Sequence, residues 1–216
     1  AADRTAIRHF PLTRDELDTY DAIILGDLNL RALGPTTLAN LEAFVSEHGG
    51  GLAIVAGDRF GFAEFAESPL VECLPFELTE EAVSPGSNLP FRIRPSALGF
   101  ATPFLQLADT PAENATVWEQ LPPAYWRLAI DKTKPGVRVL AEALAADGSQ
   151  RTPVITSHFL GAGQVLFHGT DELHRWRFRR GDVFFGRYWQ QAIRTLARRE
   201  NAEQRQEFTS DRPLYQ

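Results

Sequence analysis

Gly49-Gly50-Gly51-Leu52-Ala53-Ile54-Val55-Ala56-Gly57-Asp58-Arg59-Phe60-Gly61 is the stretch whose reading decides the fold. Five consecutive apolar residues, Leu52 to Ala56, show none of the alternation of a strand with one wet face, so the strand they form must be covered on both sides. Such strands belong to sheets with helices on either face. Ligands of open α/β sheets lie beyond the carboxyl ends of the strands, which directs attention to Gly57, Asp58, Arg59 and Phe60. Upstream, Tyr20-Asp21-Ala22-Ile23-Ile24-Leu25-Gly26-Asp27 is a second apolar run closed by glycine and aspartate. Between the two, Pro35 opens a segment with Leu38, Leu41, Phe44 and Val45 at helical spacing, stopped by His48 and the glycines. Strand, helix, strand in about 35 residues is a βαβ unit with parallel strands and a right-handed crossover.

Farther out, Thr13 and Glu16 have capping-box spacing and predict a short helix to about Asp18. Phe62 to Phe65 reads as a short helix, and Ser68 to Pro75 as a return loop. Eight prolines between Ser84 and Pro135 predict an irregular, β-rich insertion of extended segments on the sheet edge. Phe91, Phe100, Phe104, Trp118, Tyr125 and Trp126 would anchor it. Val137 to Leu144 and Pro153 to Thr156, joined by a turn at Asp147-Gly148-Ser149, read as an antiparallel hairpin. Gly161 to Gly169 is a further strand, closed by glycine with Asp171 beyond. Asp182 would cap a last helix whose stripe is Phe185, Tyr188, Trp189, Ala192, Ile193 and Leu196.

A chain of 216 residues suffices for one domain burying roughly 70–75 % of its unfolded surface. Hydrophobic residues at 44% and charged residues at 23% argue for a globular body. A net charge of -6 disfavours a nucleic-acid binder, whose phosphate contacts need a basic surface. The single cysteine, Cys73, supplies neither an intrachain disulfide nor a thiolate metal site. No signal peptide and no apolar run of membrane-spanning length is present. The absence of methionine, and a tail charged and glutamine-rich before Phe208 to Gln216, lead us to expect a piece of a longer protein. Residues 1–200 would be one α/β domain with its insertion at about 84–135, and 201–216 a linker and the start of a following domain.

Several motifs in order, YDAIILGD (20–27), FVSEHGGGLAIVAG (44–57), SPLVECLPFEL (68–78), GAGQVLFHGTDELHRWRFRRGD (161–182) and YWQQAIRTLAR (188–198), make the chain resemble a group of class I glutamine amidotransferase-like domains. Domains of that group occur in large bacterial membrane-associated proteins, often beside von Willebrand A-type modules. The likeness spans about Leu17 to Arg199. It implies a flavodoxin-like three-layer sandwich with a mostly parallel sheet. Active members carry Gly-x-Cys-x-Gly after the central strand and His-x-Glu after a later one. Here Gly57 and Gly61 keep the outer spacing, but Arg59 stands at the nucleophile's position. His168 follows its strand as the catalytic histidine does, with Thr170 where the glutamate would be. The resemblance therefore implies a non-catalytic binding or scaffolding module of a larger envelope protein. Its partners would be other domains of the same polypeptide or envelope proteins. A small ligand is compatible with it, no cofactor is implied, and membrane attachment would run only through the parent chain.

The residues offer a second reading. Asp27, Asp58 and Asp171 all follow strand ends, and if the strands are parallel neighbours their carboxylates converge. Such a cluster suits a hard divalent cation, and with it a hydrolase or metal-dependent enzyme. The competing explanation is that each carboxylate accepts hydrogen bonds from backbone N–H groups of nearby loops, and it is preferred. A lone His168 is more often a hydrogen-bonded core residue than a base. Cys73 has no cationic sequence neighbour to activate it and reads as a small buried residue. In His174-Arg175-Trp176-Arg177-Phe178-Arg179-Arg180, alternation would put the aromatics on one side and Arg175, Arg177 and Arg179 on the other. The arginines are either anion clamps or, as preferred, partners of Asp171, Glu172 and Asp182.

Overall fold

The runs closed by glycine and aspartate form the three parallel strands that the βαβ reading requires. A computed structural model of the protein describes residues 9–60, 62–78, 89–145 and 151–197. In chain order the elements are α1 (Arg14–Leu17), β1 (Ala22–Leu25), α2 (Pro35–Ser46), β2 (Gly51–Val55), α3 (Ala63–Ala66), β3 (Phe91–Pro95), α4 (Ala97–Phe100), α5 (Pro111–Gln120), β4 (Arg138–Ala145), β5 (Arg151–Leu160), β6 (Gly163–His168), α6 (Arg177–Arg180) and α7 (Val183–Leu196), with short 3-10 turns between them. One six-stranded sheet has the order β1-β2-β6-β5-β4-β3. Ile24 lies opposite Ala53, and Ile54 opposite Phe167, both in parallel register.

The sheet is mixed, which corrects the expectation of a mostly parallel one. β6 with β5, β5 with β4 and β4 with β3 are all antiparallel. β4 and β5 form the antiparallel hairpin expected of them, and β6 runs antiparallel to β5 because the turn at Gly161 and Ala162 joins them by too few residues for a parallel pairing. β5 runs on through Ser157 to Leu160 to reach that turn, four residues past its expected end. Gly161 has φ +56, and a Cβ there would overlap the carbonyl oxygen of Ser46 at the end of α2, which already accepts the Ala162 N–H at 2.7 Å. Gly161→Ala is therefore expected to cost about 1–3 kcal/mol in urea unfolding, combining left-handed strain with the contact. An unchanged midpoint would show that the turn is not pinned to α2.

Alternation along β2 and β6 sorts the core into two layers. Leu52, Ile54, Val165 and Phe167 face α2, where Leu41, Phe44 and Val45 meet an aromatic group of Phe62, Phe65 and Phe76. Ala53 and Leu166 face the other layer, with Tyr188, Ala192 and Leu196 of α7 and Trp118 of α5. All six residues of β6 are buried, as an apolar run covered on both faces should be. The Thr13–Glu16 capping box forms at the start of α1.

The proline-rich segment departs from its expected extended form. β3 does lie on the sheet edge, but residues 111–120 form α5. Thr110 caps α5 through the Glu113 N–H, and Pro111 occupies its first position. Asn114, fully buried, accepts the Leu107 N–H at 2.7 Å and donates to Gln106 at 3.1 Å. The Trp118 indole N–H donates to the Leu105 carbonyl at 3.0 Å. Arg92 of β3 closes the other end by donating to the carbonyls of Glu119 and Leu121. Of the expected anchors, Phe91, Phe104 and Trp118 are buried, Phe100 and Trp126 half-buried, and Tyr125 exposed. The Asp147-Gly148-Ser149 turn, Gly61 and the tail after residue 197 lie outside the described residues. Among the described residues, no helix is long and apolar enough to cross a membrane.

Candidate functional site at the carboxyl ends of the parallel strands

β1, β2 and β6 end side by side, and Asp27, Asp58 and Asp171 come to that one edge as expected. Their roles differ. Asp27 reaches across from β1 to the loop after β2, where its two oxygens accept the N–H groups of Arg59 at 2.8 Å and Phe60 at 3.0 Å. The loop it clamps is its neighbour's, not its own. Gly57 makes this approach possible, since a Cβ there would overlap the Asp27 side chain. Asp58 is exposed. Asp171 is exposed at its tip, yet partial withdrawal from water pushes its carboxyl above the usual range, and Asp58 and Asp27 push it the same way. Its own backbone N–H and His174 oppose the rise. Among the described residues no group of three His, Cys, Asp or Glu side chains is arranged to hold a metal ion.

Arg59, at the position of the nucleophile in the elbow pattern, is exposed, with its guanidinium 5.6 Å from the Phe60 ring centroid. His168 is fully buried on the α7 side of the sheet. Its Nε2 lies 2.6 Å from the Tyr188 hydroxyl, and its ring leans on Trp189 at 5.0 Å. Burial keeps the phenol protonated, so the O–H donates to Nε2. Burial also pulls the His168 pKa down to about 3, with the Ile54 backbone opposing weakly. Thr170 is buried and donates to the Trp126 carbonyl at 2.7 Å. Cys73 is buried in the α2 layer, and desolvation, helped by Glu42, pushes its thiol up to about 12.

The basic run forms helical turns, so the alternation expected of it does not occur: Trp176 is buried while Phe178 is 75% exposed. Arg175 donates to Glu172 at 2.9 Å and lies over Tyr125. Glu172 also accepts the N–H groups of Tyr125 and Trp126, tying the end of the proline-rich segment to the strand-end region. These partners hold its carboxyl below the usual range although desolvation, the largest influence, acts upward. Arg177 donates to Asp182 and lies over Phe185. Asp182 precedes α7 but makes no side-chain cap, because its carboxylate is taken by Arg177.

Beside the Asp27 clamp opens a crevice of about 370 Å³. Ile24, Val55, Leu173, Phe185, Trp189 and Ile193 supply its apolar walls, and Asp27, Thr170, Asp171 and His174 its polar edge. Phe185, Trp189, Ile193 and His174 were not anticipated here. The signal was present in the apolar arc of α7, which is wider than one sheet contact needs. Tyr188, Ala192 and Leu196 meet the sheet, leaving the 185, 189, 193 column over the strand ends.

No family model matches the sequence, and no curated protein matches it. Among solved structures, the cytoplasmic protein STM1381 of Salmonella typhimurium LT2 is similar over 87% of this chain and 76% of its own, with TM-score 0.58 and 18% identity. The cytoplasmic protein STM3548 of Salmonella typhimurium is similar over 88% of this chain and 77% of its own, with TM-score 0.58 and 15% identity. The exo-beta-1,4-mannosidase Op5Man5 of Opitutaceae bacterium strain TAV5 aligns with 82% of this chain and 25% of its own, with TM-score 0.43 and 16% identity. At these identities the first two likenesses concern the fold alone.

Proposed function

We propose that the chain is a non-catalytic, class I glutamine amidotransferase-like module of flavodoxin-like architecture, which binds a ligand or a neighbouring domain within a larger envelope protein. The observation that carries this reading is the loop after β2. Its amides are occupied by Asp27, and an exposed arginine stands where the elbow pattern places a thiol. Two further facts support it. His168 is buried against Tyr188 and held neutral, which removes it from the role of a solvent-accessible base. Cys73 lies in the core with its thiol protonated. The crevice beside the loop gives the module a place to bind. A hydrolase built on the three aspartates is the less favoured reading, because both oxygens of Asp27 already serve backbone amides.

The test is ammonia release from glutamine. It is expected at the buffer background for the whole chain and for Cys73→Ser alike. Release that disappears in Cys73→Ser would overturn the non-catalytic reading.

A further inference from the structure

The crevice joins an apolar wall to an acidic edge. Ile24 and Ile193 are 44% and 42% exposed, large apolar side chains left open beside the half-buried Phe185 and Trp189. At the edge, Asp58 and Asp171 are exposed and Asp27 lies between the loops. Three cations close by in sequence are engaged: Arg175 with Glu172 and Tyr125, Arg177 with Asp182 and Phe185, and Arg59 over Phe60. His174 turns its Nδ1 to the Asp171 carbonyl at 3.1 Å, not to the carboxylate. Among the described residues, Asp171 lines the crevice with only its own backbone N–H as hydrogen-bond partner, while Asp27 serves the neighbouring loop, and Asp58 and Asp27 place it under negative potential.

We propose that this crevice binds a small organic cation, a primary amine on an aromatic or alkyl stem, with the stem against Trp189, Phe185, Ile193 and Ile24 and the ammonium at Asp171. The inference rests on the binding reading above and gives it a chemical class. Charge complementarity selects the head group, since an ammonium donates to Asp171 while relieving its repulsion with Asp58 and Asp27. The half-buried Trp189 and Phe185 rings suit an apolar stem, and because Arg177 already lies over Phe185 the ligand's charge is left to the acidic edge. A cavity of about 370 Å³ lies near the lower end of small-molecule sites and fits a stem of roughly ten heavy atoms.

The probes are 2-phenylethylamine, 2-phenylethanol and 3-phenylpropionate, titrated into the whole chain at pH 7. The readout is the indole N–H resonance of Trp189, assigned through Trp189→Phe. The amine should shift that resonance saturably, bind about tenfold more tightly than the alcohol, and leave the acid without effect. Asp171→Asn, at an exposed position, should remove the tenfold preference and leave the alcohol unchanged. If the alcohol or the acid binds as tightly as the amine, the cationic class is wrong while the crevice stands as a ligand site. If no probe moves the Trp189 resonance up to its solubility limit, the crevice itself is not a ligand site and the ligand arm of the binding reading fails with it.

Discussion

Trp118→Ala is expected to lower stability by about 3–5 kcal/mol and to loosen the crevice although it lies outside it. Trp118 is buried and meets Trp176 edge-on at 5.3 Å; Trp176 meets Tyr188 at 5.5 Å, and Tyr188 meets both His168 and Trp189. The aromatic chain thus runs from the inserted helix α5 to the crevice wall. Truncation leaves a cavity at one end of that chain and orphans the Leu105 carbonyl. Trp118→Phe keeps most of the apolar volume and loses the indole N–H, so it should cost markedly less, about 1–2 kcal/mol. Urea unfolding gives both values, and the Trp189 indole resonance reports the wall. Equal costs for the two variants would show that the hydrogen bond, not the packing, joins α5 to the body.

The parallel half of the sheet was legible because burial on both faces writes itself as an uninterrupted apolar run. Leu52–Ala56 and Val165–Phe167 have that form, and the glycine and aspartate after each strand mark its end. The antiparallel half was less legible. The β4–β5 hairpin was readable, but β3 alternates, β4 carries register shifts between Val139 and Glu142, and Ser157 and His158 in β5 look like loop residues. Ser157 belongs there because its hydroxyl accepts from Gln164 on β6, a pairing invisible along one chain segment. α5 announced itself through Thr110, Pro111 and Glu113, but the surrounding prolines outweighed that signal. At the site, the three aspartates were readable as strand-end residues, and their unequal roles were not. Asp27 is a clamp and Asp171 an open carboxylate only because the β2 loop turns its amides toward β1, which is a tertiary fact.

Acid should weaken this fold well before its carboxylates titrate. His168 is neutral in the native state, with a pKa of about 3, against an ordinary value near 6.5 in the unfolded chain. His158 on β5 has both ring nitrogens shielded without a hydrogen-bond partner, and burial, assisted by Lys134, takes its pKa to about 4. Both native values are depressed, so the unfolded state binds more protons as the pH falls below about 6.5. The stability these neutral rings contribute is complete above the unfolded pKa and is lost progressively toward the native ones. Between pH 6.5 and pH 5, His168 should account for roughly 1.5 kcal/mol of loss, and His158 for somewhat less because its environment is partly wet. The window lies above the ordinary carboxylate range, so Glu16 and Glu172, whose lowered carboxyls add acid lability, act mainly below it. Asp171, raised, works in the opposite sense. Urea unfolding at pH 7, 6.5, 6, 5.5 and 5 measures the slope directly. His168→Gln should be less stable than the parent at pH 7, having lost the fit against Tyr188 and Trp189, yet its stability should fall less steeply with acid. An identical slope in parent and variant would mean that His168 is not held neutral by burial, and would return it to consideration as a base at the strand ends.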